Sequence, residues 1–511
     1  MGKQHVKTQQ VFFGRTVIFV ALLLIQLGLL GVLFVFTAET ARYYSAVSTA
    51  IGFFLVVYII NREQNPAFKL AWIIPMLAVP VFGAFLFLFV QLQPGVRRIS
   101  KKLQHIEEQT SLLNPQDPEI LAYLSASHRP VANLSLYNKS CCGIPIYPAE
   151  DITYFPLGED MWQQLLVDLA NAKDFIFLEY FIIERGKMWD TIEDVLAERA
   201  AAGVEVRVLY DGIGSLTTLP ATFPRELAAR GIDSRPFLKA KPLLSTVQNN
   251  RDHRKIAVID GKVAYTGGLN LADEYINHKE KYGHWKDNAI RMDGPAVDGF
   301  TTIFLELWHE GEDDPDYASY LIHPPQTRET GFVMPYGDNP FDDQTVAAHI
   351  YLDMIYGAED YVHIMTPYLI LDNETITALQ YAAKRGVDTA IMMPHIPDKA
   401  YAYLLGRTYY PKLINAGVKI YEYTPGFVHA KTFVADGKKA VVGTTNLDYR
   451  SLYLHFECGA FIYDHPVVFE IEEDYQRTLA ECQLITIKDC RRFPLWKRFA
   501  GRALRLIAPL M

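Results

Sequence analysis

The sequence predicts an α/β protein made of two tandem α/β sandwich lobes that form one shared site, preceded by N-terminal transmembrane helices. Three observations support this fold class. Helical segments alternate with apolar, β-rich segments, which is typical of α/β proteins. The whole succession occurs twice, and each copy contains the same short cluster of histidine and lysine. Long apolar stretches precede both copies near the start of the chain.

Length and composition set the broad class of protein. The chain has 511 residues, which is more than one ordinary domain needs. Half of its residues are hydrophobic and the mean hydropathy is slightly positive, which indicates that part of the chain lies in lipid. A net charge of −9 disfavours nucleic acid as a partner. The five cysteines show no C-x-x-C spacing, which favours free thiols in a reducing compartment and no zinc site.

Residues 1–100 are predicted to be a membrane anchor with two or three transmembrane segments. The apolar stretches are Thr16–Thr37, Tyr43–Ile60 and Ala67–Val90. The first is uncharged and long enough to cross a bilayer. A cleaved signal peptide is the alternative, but the stretch is long for that and two more apolar segments follow. Basic clusters lie at both ends of the region, and three spans would place them on opposite sides of the membrane, so the positive-inside rule gives no single orientation. The free cysteines favour lobes on the cytoplasmic side.

The duplicated pattern sets the predicted domain boundaries. Residues 101–131 are expected to be a linker, 132–310 the first lobe, 311–344 a connector rich in Asp and Pro, and 345–490 the second lobe. In both lobes a helix ends at a glycine and a β-rich strand follows, with Gly203 and Gly386 at equivalent positions. The first lobe has a longer loop ahead of its cluster, within Leu238–Asp252.

Residues 491–511 predict a basic amphipathic helix. On a helix that begins at Pro494, one face carries Trp496, Phe499, Ala503 and Ile507, and another face carries Arg498, Arg502 and Arg505. Such a helix is suited to an anionic lipid surface. The alternative is a terminal helix that docks on the protein core.

The repeated cluster reads H-x-K-x-x-x-x-D. It occurs as HRKIAVID at His253–Asp260 and as HAKTFVAD at His429–Asp436. Both copies are strand-like, and residues i and i+2 of a strand point to the same side. Each histidine therefore shares a face with the lysine of its motif. The aspartates have the opposite parity and fall at the strand ends, where we expect them to fix local structure.

This combination of side chains favours chemistry on a phosphate diester. A lysine on the face of the histidine repels a divalent metal ion but suits the charged oxygens of a phosphate. One histidine, neutral, attacks phosphorus, and the other, protonated, gives its proton to the leaving alkoxide. The residues assigned to the catalytic motif are His253, Lys255, Asp260, His429, Lys431 and Asp436.

Further polar residues follow each motif at similar distances. Asn270 and Asn446 end a glycine-containing turn and are predicted to donate hydrogen bonds to the substrate phosphate. Each histidine also needs a partner that fixes its tautomer. Downstream of the first and second motifs, respectively, Asp287 and Glu457 are the predicted histidine-orienting carboxylates. Two neighbouring histidines, His284 and His455, lie outside the pattern and are not predicted to be catalytic.

The paired motifs resemble those of the phospholipase D superfamily, and within it the bacterial cardiolipin synthases. The stretches that carry the likeness are Asn65–Phe89, His253–Tyr275, Tyr282–Asp287, His429–Ser451 and the basic C-terminus. One departure is Gly443-Thr444 where the family usually has Gly-Ser; the hydroxyl remains.

The resemblance implies two phospholipase-D-like lobes with the site between them, and no metal or other cofactor. It implies His253 as the nucleophile and His429 as the general acid and base. The implied reaction transfers a phosphatidyl group from one phosphatidylglycerol to another at a bacterial cell membrane, so phosphatidylglycerol and other anionic phospholipids are the expected partners.

Three other functions remain open at this point. The same site with water as the acceptor is a phospholipase D, which the catalytic residues alone do not distinguish from a transferase. A phosphodiesterase of nucleic acid is disfavoured by the acidic composition and the apolar segments. A membrane scaffold without activity is disfavoured because both clusters are intact.

Overall fold

The computed structural model describes residues 38–78, 83–84, 87, 94–238, 250–310, 312, 315–323, 331–342 and 344–510. The predicted span Thr16–Thr37, much of Ala67–Val90 and most of the long loop ahead of His253 lie outside these residues. The described chain forms a helical N-terminal part followed by two α/β lobes. The mixed α/β class predicted from the sequence is confirmed.

Five helices precede the first strand in the described part of the chain. They are α1 (Ala38–Ile60), α2 (Pro66–Ala78), α3 (Pro94–Leu113), α4 (Pro118–Ser127) and α5 (Arg129–Cys142). Among the residues that the structure describes, no helix combines the length and the apolar character needed to cross a bilayer. The predicted linker 101–131 is instead largely helical, because its apolar side chains, such as Leu103 and Leu124, are buried against the lobes.

The first lobe contains a seven-stranded mixed sheet in the order β2-β10-β8-β7-β3-β4-β5. Its elements, preceded by the short strand β1 (Tyr147–Pro148), are β2 (Ile152–Phe155), α6 (Gly158–Ala170), β3 (Phe175–Tyr180), α7 (Lys187–Ala201), β4 (Glu205–Asp211), α8 (Phe223–Ala228), β5 (Asp233–Phe237), β6 (Arg251–Asp252), β7 (Lys255–Ile259), β8 (Val263–Gly267), β9 (His284–Lys286), β10 (Ala289–Asp293) and α9 (Val297–Trp308). Every residue of β3 is buried, as its unbroken apolar sequence predicts for a central strand.

The second lobe repeats this succession around a larger sheet, in the order β1-β11-β20-β18-β17-β12-β14-β15-β21 with β6 beside β20. Its elements are β11 (Phe332–Asp338), α10 (Val346–Gly357), β12 (Tyr361–Met365), β13 (Leu369–Ile370), α11 (Asn373–Lys384), β14 (Asp388–Pro394), α12 (Ala400–Gly406), α13 (Tyr410–Ile414), β15 (Lys419–Tyr423), β16 (Gly426–Val428), β17 (Thr432–Ala435), β18 (Lys439–Gly443), β19 (Leu447–Asp448), α14 (Tyr449–Tyr453), β20 (His455–Tyr463), α15 (Val467–Leu479), β21 (Cys482–Ile485), α16 (Ile487–Arg492) and α17 (Leu495–Leu504). Strand β11 lies within the predicted connector 311–344 but pairs along its full length with β20, so this part of the connector belongs to the sheet.

Equivalent strands have equivalent neighbours in the two lobes. The strand of each H-x-K motif, β7 or β17, runs antiparallel to the strand that opens the repeat, β3 or β12. Helices α7 and α11, which come after β3 and β12 in the chain, end at Gly203 and Gly386, whose φ angles of 96° and 101° favour glycine. Both motifs therefore start at the same edge of their sheets.

The two lobes share a hydrophobic core. Side chains of the first sheet, such as Ile256 and Ile290, lie in one buried cluster with side chains of the second, such as Val434 and Val442. Two short strand pairs also cross between the lobes, β6 with β20 and β9 with β16. This packing holds the starts of the two motifs against each other.

The C-terminal helix docks on the second lobe through its basic side. Arg505 lies over the ring of Tyr409 at 4.5 Å, and Arg498 and Arg502 border a small cavity beside α12. Trp496 and Phe499 point outward, with 67% and 76% of their surface exposed. The predicted division into two faces is present: Gly501 is buried against the protein, Arg502 and Arg505 border the contact but stay exposed, and the aromatic residues face away from it.

Candidate active site

The two motif histidines lie where the lobes meet. His253 follows β6, and its backbone N–H donates to the carbonyl oxygen of Phe456 in the second lobe at 2.9 Å. His429 follows β16, and its N–H donates to the carbonyl of Lys286 in the first lobe at 2.7 Å. Each histidine is thus fixed by the backbone of the opposite lobe, just before the motif strand begins.

The orienting carboxylates are exchanged between the lobes. Nδ1 of His253 lies 2.9 Å from Oε1 of Glu457, and Nδ1 of His429 lies 2.6 Å from Oδ2 of Asp287. The sequence spacing had suggested the opposite pairing, within each lobe. It was wrong because the strands that carry these carboxylates pair with the other lobe. A carboxylate accepts a hydrogen bond from Nδ1–H, which leaves Nε2 of both rings for a substrate.

Both motif lysines are buried beside their histidines. Nζ of Lys255 donates to the carbonyl oxygen of His253 at 2.5 Å, and Nζ of Lys431 donates to the carbonyl of His429. Burial lowers the pKa of Lys255 to about 8 and that of Lys431 to about 7, against the opposing effect of the nearby carboxylates. The site thus concentrates positive charge that water does not screen, which suits a phosphate.

The surroundings also favour neutral imidazole. Burial, followed by the charge of Lys255, holds the pKa of His253 well below its usual value. Burial and Lys431 lower the pKa of His429 to about 4, although Asp287 opposes this shift. A substrate phosphodiester brings a negative charge that acts in the opposite direction and promotes protonation of one ring.

The two carboxylates differ in their electrostatics. Burial raises the pKa of Asp287, but the charge of His429, its hydrogen bond and Lys431 outweigh burial, so the net shift is downward. Burial dominates for Glu457 and raises its pKa well above the ordinary value. The carboxylate beside His429 is therefore the one that better supports a positive charge on its ring.

Comparisons with known proteins agree with this architecture. A family model described as cardiolipin synthase, PLD-like domain, matches residues 165–308 and 351–479, and a phospholipase D-nuclease N-terminal model matches residues 50–91. A cardiolipin synthase of Geobacillus kaustophilus is 33% identical over 92% of this chain and 94% of its own length. A protein of Streptococcus mutans described as uncharacterized is 43% identical over 89% of this chain and 99% of its own.

The chain belongs to the cardiolipin synthase family of phospholipase-D-like proteins. A solved phosphatidylserine synthase from Haemophilus influenzae shares the fold, with a TM-score of 0.57 and 14% identity, covering 75% of this chain and 99% of its own. The prediction of two phospholipase-D-like lobes is thereby confirmed.

The motif aspartates of this family member do not reach the site. Asp260 accepts hydrogen bonds from the amides of Lys173, Asp174 and Phe175, at 2.7 to 3.1 Å. Asp436 accepts from three amides at the equivalent place in the second lobe, each at 2.9 Å. Both were assigned to the catalytic motif, but each instead ties the turn that follows its motif strand, β7 or β17, to the backbone at the start of β3 or β12, and so fixes local structure as its parity predicted.

The two predicted phosphate-binding asparagines are buried and partly engaged. Asn270 donates to the hydroxyl of Tyr275 at 2.7 Å and accepts from the amide of Ile182. Asn446 donates to the hydroxyl of Ser451 at 3.0 Å. An amide group carries two N–H donors, so each side chain retains one beyond these bonds. Their role toward phosphate stays a prediction.

The residue that follows β8 or β18 differs between the lobes in a way that fits the neighbouring carboxylate. Thr444 donates its hydroxyl to Oε2 of Glu457 at 2.5 Å, so the hydroxyl at the departure from Gly-Ser is used. At the equivalent place in the first lobe, a Cβ on Gly268 would collide with Oδ1 of Asp287. Thr444 therefore contacts the longer side chain, Glu457, whereas Gly268 leaves room for the shorter one, Asp287.

A third imidazole lies beside the nucleophilic end of the site. The ring of His455 is 5.6 Å from that of His253, measured between centroids. Sequence reasoning excluded His455 because it stands outside the motif. The signal was available, since His455 lies two residues before Glu457 on one strand and therefore on the same side of the sheet.

Donor atoms of His253, His455 and Glu457 lie within 4.8 Å of one another, a spacing that a metal ion could use. The ammonium group of Lys255 lies next to this trio and contributes to the low pKa of both imidazoles. A fixed cation at this place opposes a divalent metal and favours an anion.

Proposed function

We propose that the chain is a cardiolipin synthase, a phosphatidyltransferase that joins two phosphatidylglycerol molecules and releases glycerol. One observation carries the proposal: two imidazoles, each held through Nδ1 by a buried carboxylate of the other lobe, stand beside two buried lysines. The family to which the chain belongs, and its relatives named as cardiolipin synthases, support the choice of substrate.

In the first step, Nε2 of His253 attacks the phosphorus of the donor lipid. A nitrogen–phosphorus bond forms and the bond from phosphorus to the glycerol oxygen breaks. Nε2 of His429 gives its proton to the departing alkoxide, so that glycerol leaves neutral. Lys255 and Lys431 stabilise the negative charge on the non-bridging oxygens.

In the second step, the neutral His429 takes the proton of a hydroxyl group on the acceptor phosphatidylglycerol. The acceptor oxygen attacks phosphorus, and the bond to His253 breaks. Cardiolipin is released, and both histidines return to their starting state. Two molecules of phosphatidylglycerol are converted to one of cardiolipin and one of glycerol, without net gain or loss of protons.

The assignment of roles to the two histidines has electrostatic support. The acid must carry a proton, and the lowered pKa of Asp287 leaves an ionised carboxylate to stabilise a charged His429. The nucleophile must be neutral, and burial together with Lys255 holds the pKa of His253 well below its usual value. These differences favour His429 as the acid and His253 as the nucleophile.

We further propose that both ends of the chain attach the enzyme to a membrane. Helix α1 exposes several large apolar side chains, among them Phe53 and Phe54 at 63% and 70%. Helix α2 packs on the second lobe, where Phe68 contacts the rings of Tyr449 and Tyr453 at 5.8 Å.

The exposed aromatic residues of α17 extend this apolar surface. Its neighbour in the chain, the short turn Ala508–Leu510, contacts α2, so α2 and the C-terminal turn lie on the same part of the second lobe. A surface that combines exposed Trp496 and Phe499 with nearby arginines is suited to the interface of an anionic bilayer.

The experiment that tests the proposed function is to incubate the purified full chain with labelled phosphatidylglycerol in mixed micelles and identify the lipids formed. Cardiolipin with an equal amount of glycerol supports the proposal. Phosphatidic acid as the product would indicate a hydrolase, and no product would indicate a scaffold; either result overturns the proposal.

Variants of the two histidines test the division of labour. His253→Ala is expected to form no phosphoenzyme, whereas His429→Ala is expected to form it slowly and to accumulate it. His105→Ala is a matched control, because His105 is exposed on α3, where its ring contacts the side chain of Gln109. Normal activity in either active-site variant would overturn the mechanism.

A further inference from the structure

A large cavity opens between the N-terminal helices and the second lobe. Its volume is about 840 Å³. Part of its lining comes from α2 and the loop before it, with Asn65, Phe68 and Trp72, and part from Tyr453 and its neighbours. His455 also lines this cavity, so the cavity extends from the apolar N-terminal helices to the edge of the catalytic cluster.

His455 is a buried polar side chain without a hydrogen-bond partner. Only 9% of its surface is exposed, and neither ring nitrogen has a hydrogen-bond partner within the described parts of the chain. Its Nδ1 is 3.7 Å from Oε1 of Glu457, which is too long for a hydrogen bond. A buried polar group without a partner is unfavourable, so a ligand that hydrogen-bonds to this ring would be stabilised here.

The charges around His455 favour an anion as that ligand. Burial and the positive charges of Arg450, Arg251, Lys255 and Lys399 hold the pKa of His455 well below its usual value. The ring is neutral at pH 7, and it carries one N–H that can donate to an anionic oxygen.

The buried acidic residue of the cavity wall does not cancel these charges. The carboxylate of Asp338 accepts hydrogen bonds from the amides of Val346 and Ala347, at 2.6 and 3.0 Å. Burial raises its pKa to about 7, so it carries less than a full negative charge at neutral pH.

We propose that His455 and the cavity beside it bind the acceptor phosphatidylglycerol. The ring donates a hydrogen bond to the acceptor's own phosphate, which takes no part in the reaction. The inference rests on the proposed function and adds a binding site for the second substrate. His455 serves here as a positioning residue, because it contacts the acceptor but neither breaks nor forms a bond.

The geometry of the acceptor explains why a second phosphate belongs at this place. The free hydroxyl of phosphatidylglycerol is separated from its own phosphate by one glycerol unit. When that hydroxyl is at the phosphorus on His253, the acceptor phosphate must lie close to the same ring. The adjacent ring of His455, at 5.6 Å, is within that range.

The apolar part of the cavity lining suits the acyl chains of this lipid. Phe68, Trp72 and Leu452 supply apolar surface for acyl chains on the side of the N-terminal helices. Water and small alcohols lack both a phosphate and acyl chains, so they gain nothing from this cavity. The subsite therefore selects the lipid acceptor over water, a choice that the motif residues themselves do not make.

The experiment compares two acceptors that use the same phosphoenzyme. Cardiolipin formation requires the lipid acceptor, whereas exchange of labelled glycerol into phosphatidylglycerol requires an acceptor without phosphate. Both rates are measured for the full chain in mixed micelles, for the wild type and for His455→Ala, His455→Gln and the control His105→Ala. Thermal melting of each variant reports whether it is folded.

His455→Ala is expected to lower the ratio of cardiolipin formation to glycerol exchange by about tenfold or more, the value of one hydrogen bond to a charged group. His455→Gln retains a donor and should recover part of the ratio, and His105→Ala should leave it unchanged. A ratio unchanged in folded His455→Ala, or an equal fall in both rates, overturns this inference and leaves the proposed function intact. Wild-type exchange without cardiolipin overturns the proposed function itself.

Discussion

Nδ1 of His253 lies 2.9 Å from Oε1 of Glu457, although the two residues are 204 positions apart and belong to different lobes. The relation is reciprocal, because His429 is held by Asp287 of the first lobe. Each lobe therefore supplies the reactive ring of one half-site and the orienting carboxylate of the other.

Replacing the orienting carboxylates should separate their roles. In Glu457→Gln the amide donates to Nδ1 of His253 and shifts the ring proton to Nε2, which blocks attack on phosphorus. We expect kcat to fall by about 100-fold or more, by analogy with the tautomer effect in a serine protease triad. Asp287→Asn should instead impair the acid, His429.

A donor with a good leaving group distinguishes the two variants. An aryl phosphodiester needs little help from an acid, so Asp287→Asn should still release the phenol in a rapid burst, and Glu457→Gln should not. The same burst in both variants would contradict the crossed assignment.

We expect activity to be lost on the alkaline side of neutrality, because the pKa values of the two motif lysines are lowered. A lysine is charged below its pKa, and the pKa values of Lys431 and Lys255 are lowered to about 7 and about 8. As the pH rises through this range, the ammonium charges that hold the phosphate are lost, so kcat/KM should fall. Bound phosphate stabilises the charged lysines, so kcat should fall only at higher pH.

The check is a pair of pH profiles between pH 6 and 10, for kcat/KM and for kcat. Lys431→Arg, whose side chain stays charged, should remove one of the two ionisations from the kcat/KM profile even if its rate is low. A flat kcat/KM profile in the wild type would exclude this role for the lysines.

The motif aspartates should contribute to stability more than to chemistry. Asp260→Asn keeps a residue that tolerates the positive φ of 52° but weakens the contact with three amides. We expect a loss of about 1–3 kcal/mol of stability, seen as a lower melting temperature. The folded fraction should retain kcat within a few-fold.

Asp436→Asn is the matched variant in the second lobe. Two of the three hydrogen bonds that Asp436 accepts from backbone amides are exposed to solvent. Water can replace these bonds in the variant, so the destabilisation should be smaller. Abolished activity at an unchanged melting temperature would show that these carboxylates act in the reaction.

The aromatic residues of α17 should govern membrane binding. The double variant Trp496→Ser/Phe499→Ser removes two exposed apolar side chains, each worth about 1.5–3 kcal/mol if fully buried in lipid. Co-sedimentation with phosphatidylglycerol vesicles should weaken by about tenfold or more, even with partial burial. Replacing Arg498, Arg502 and Arg505 by Ser should also weaken it, and high salt should reduce that difference.

Phe469→Ser is a suitable control, because Phe469 is 62% exposed on α15, away from both termini in the sequence. It should leave vesicle binding unchanged. Unchanged binding in the α17 double variant would remove this helix from the membrane surface, and the variant's kcat on short-chain soluble substrate should remain normal in either case.

The sequence predicted the elements of the fold well because its signals are local. The alternating and apolar runs gave β3, β7 and β17 near their observed positions, and the glycines at 203 and 386 end the preceding helices. The sequence did not indicate that residues 101–131 are largely helical, because their apolar side chains are buried against parts of the chain that are distant in sequence.

The candidate site was predicted in its residues but not in its pairing. Asp287 and Glu457 were found as carboxylates near the motifs, yet sequence spacing carries no information about which lobe each strand contacts. His455 was set aside because it stands outside the motif. Its exposure to the cavity depends on α2, which is more than 370 positions earlier in the chain.

The reciprocal exchange of carboxylates has a further consequence for how such a chain can change over time. Either lobe by itself would contain a histidine without its orienting carboxylate and a buried carboxylate without its histidine. Yet the two couples are chemically separate, Thr444 with Glu457 and Gly268 with Asp287. Because both lobes belong to one polypeptide, the two histidine–carboxylate pairs stay together while their residues differ. One pair can then serve the nucleophile and the other the proton donor.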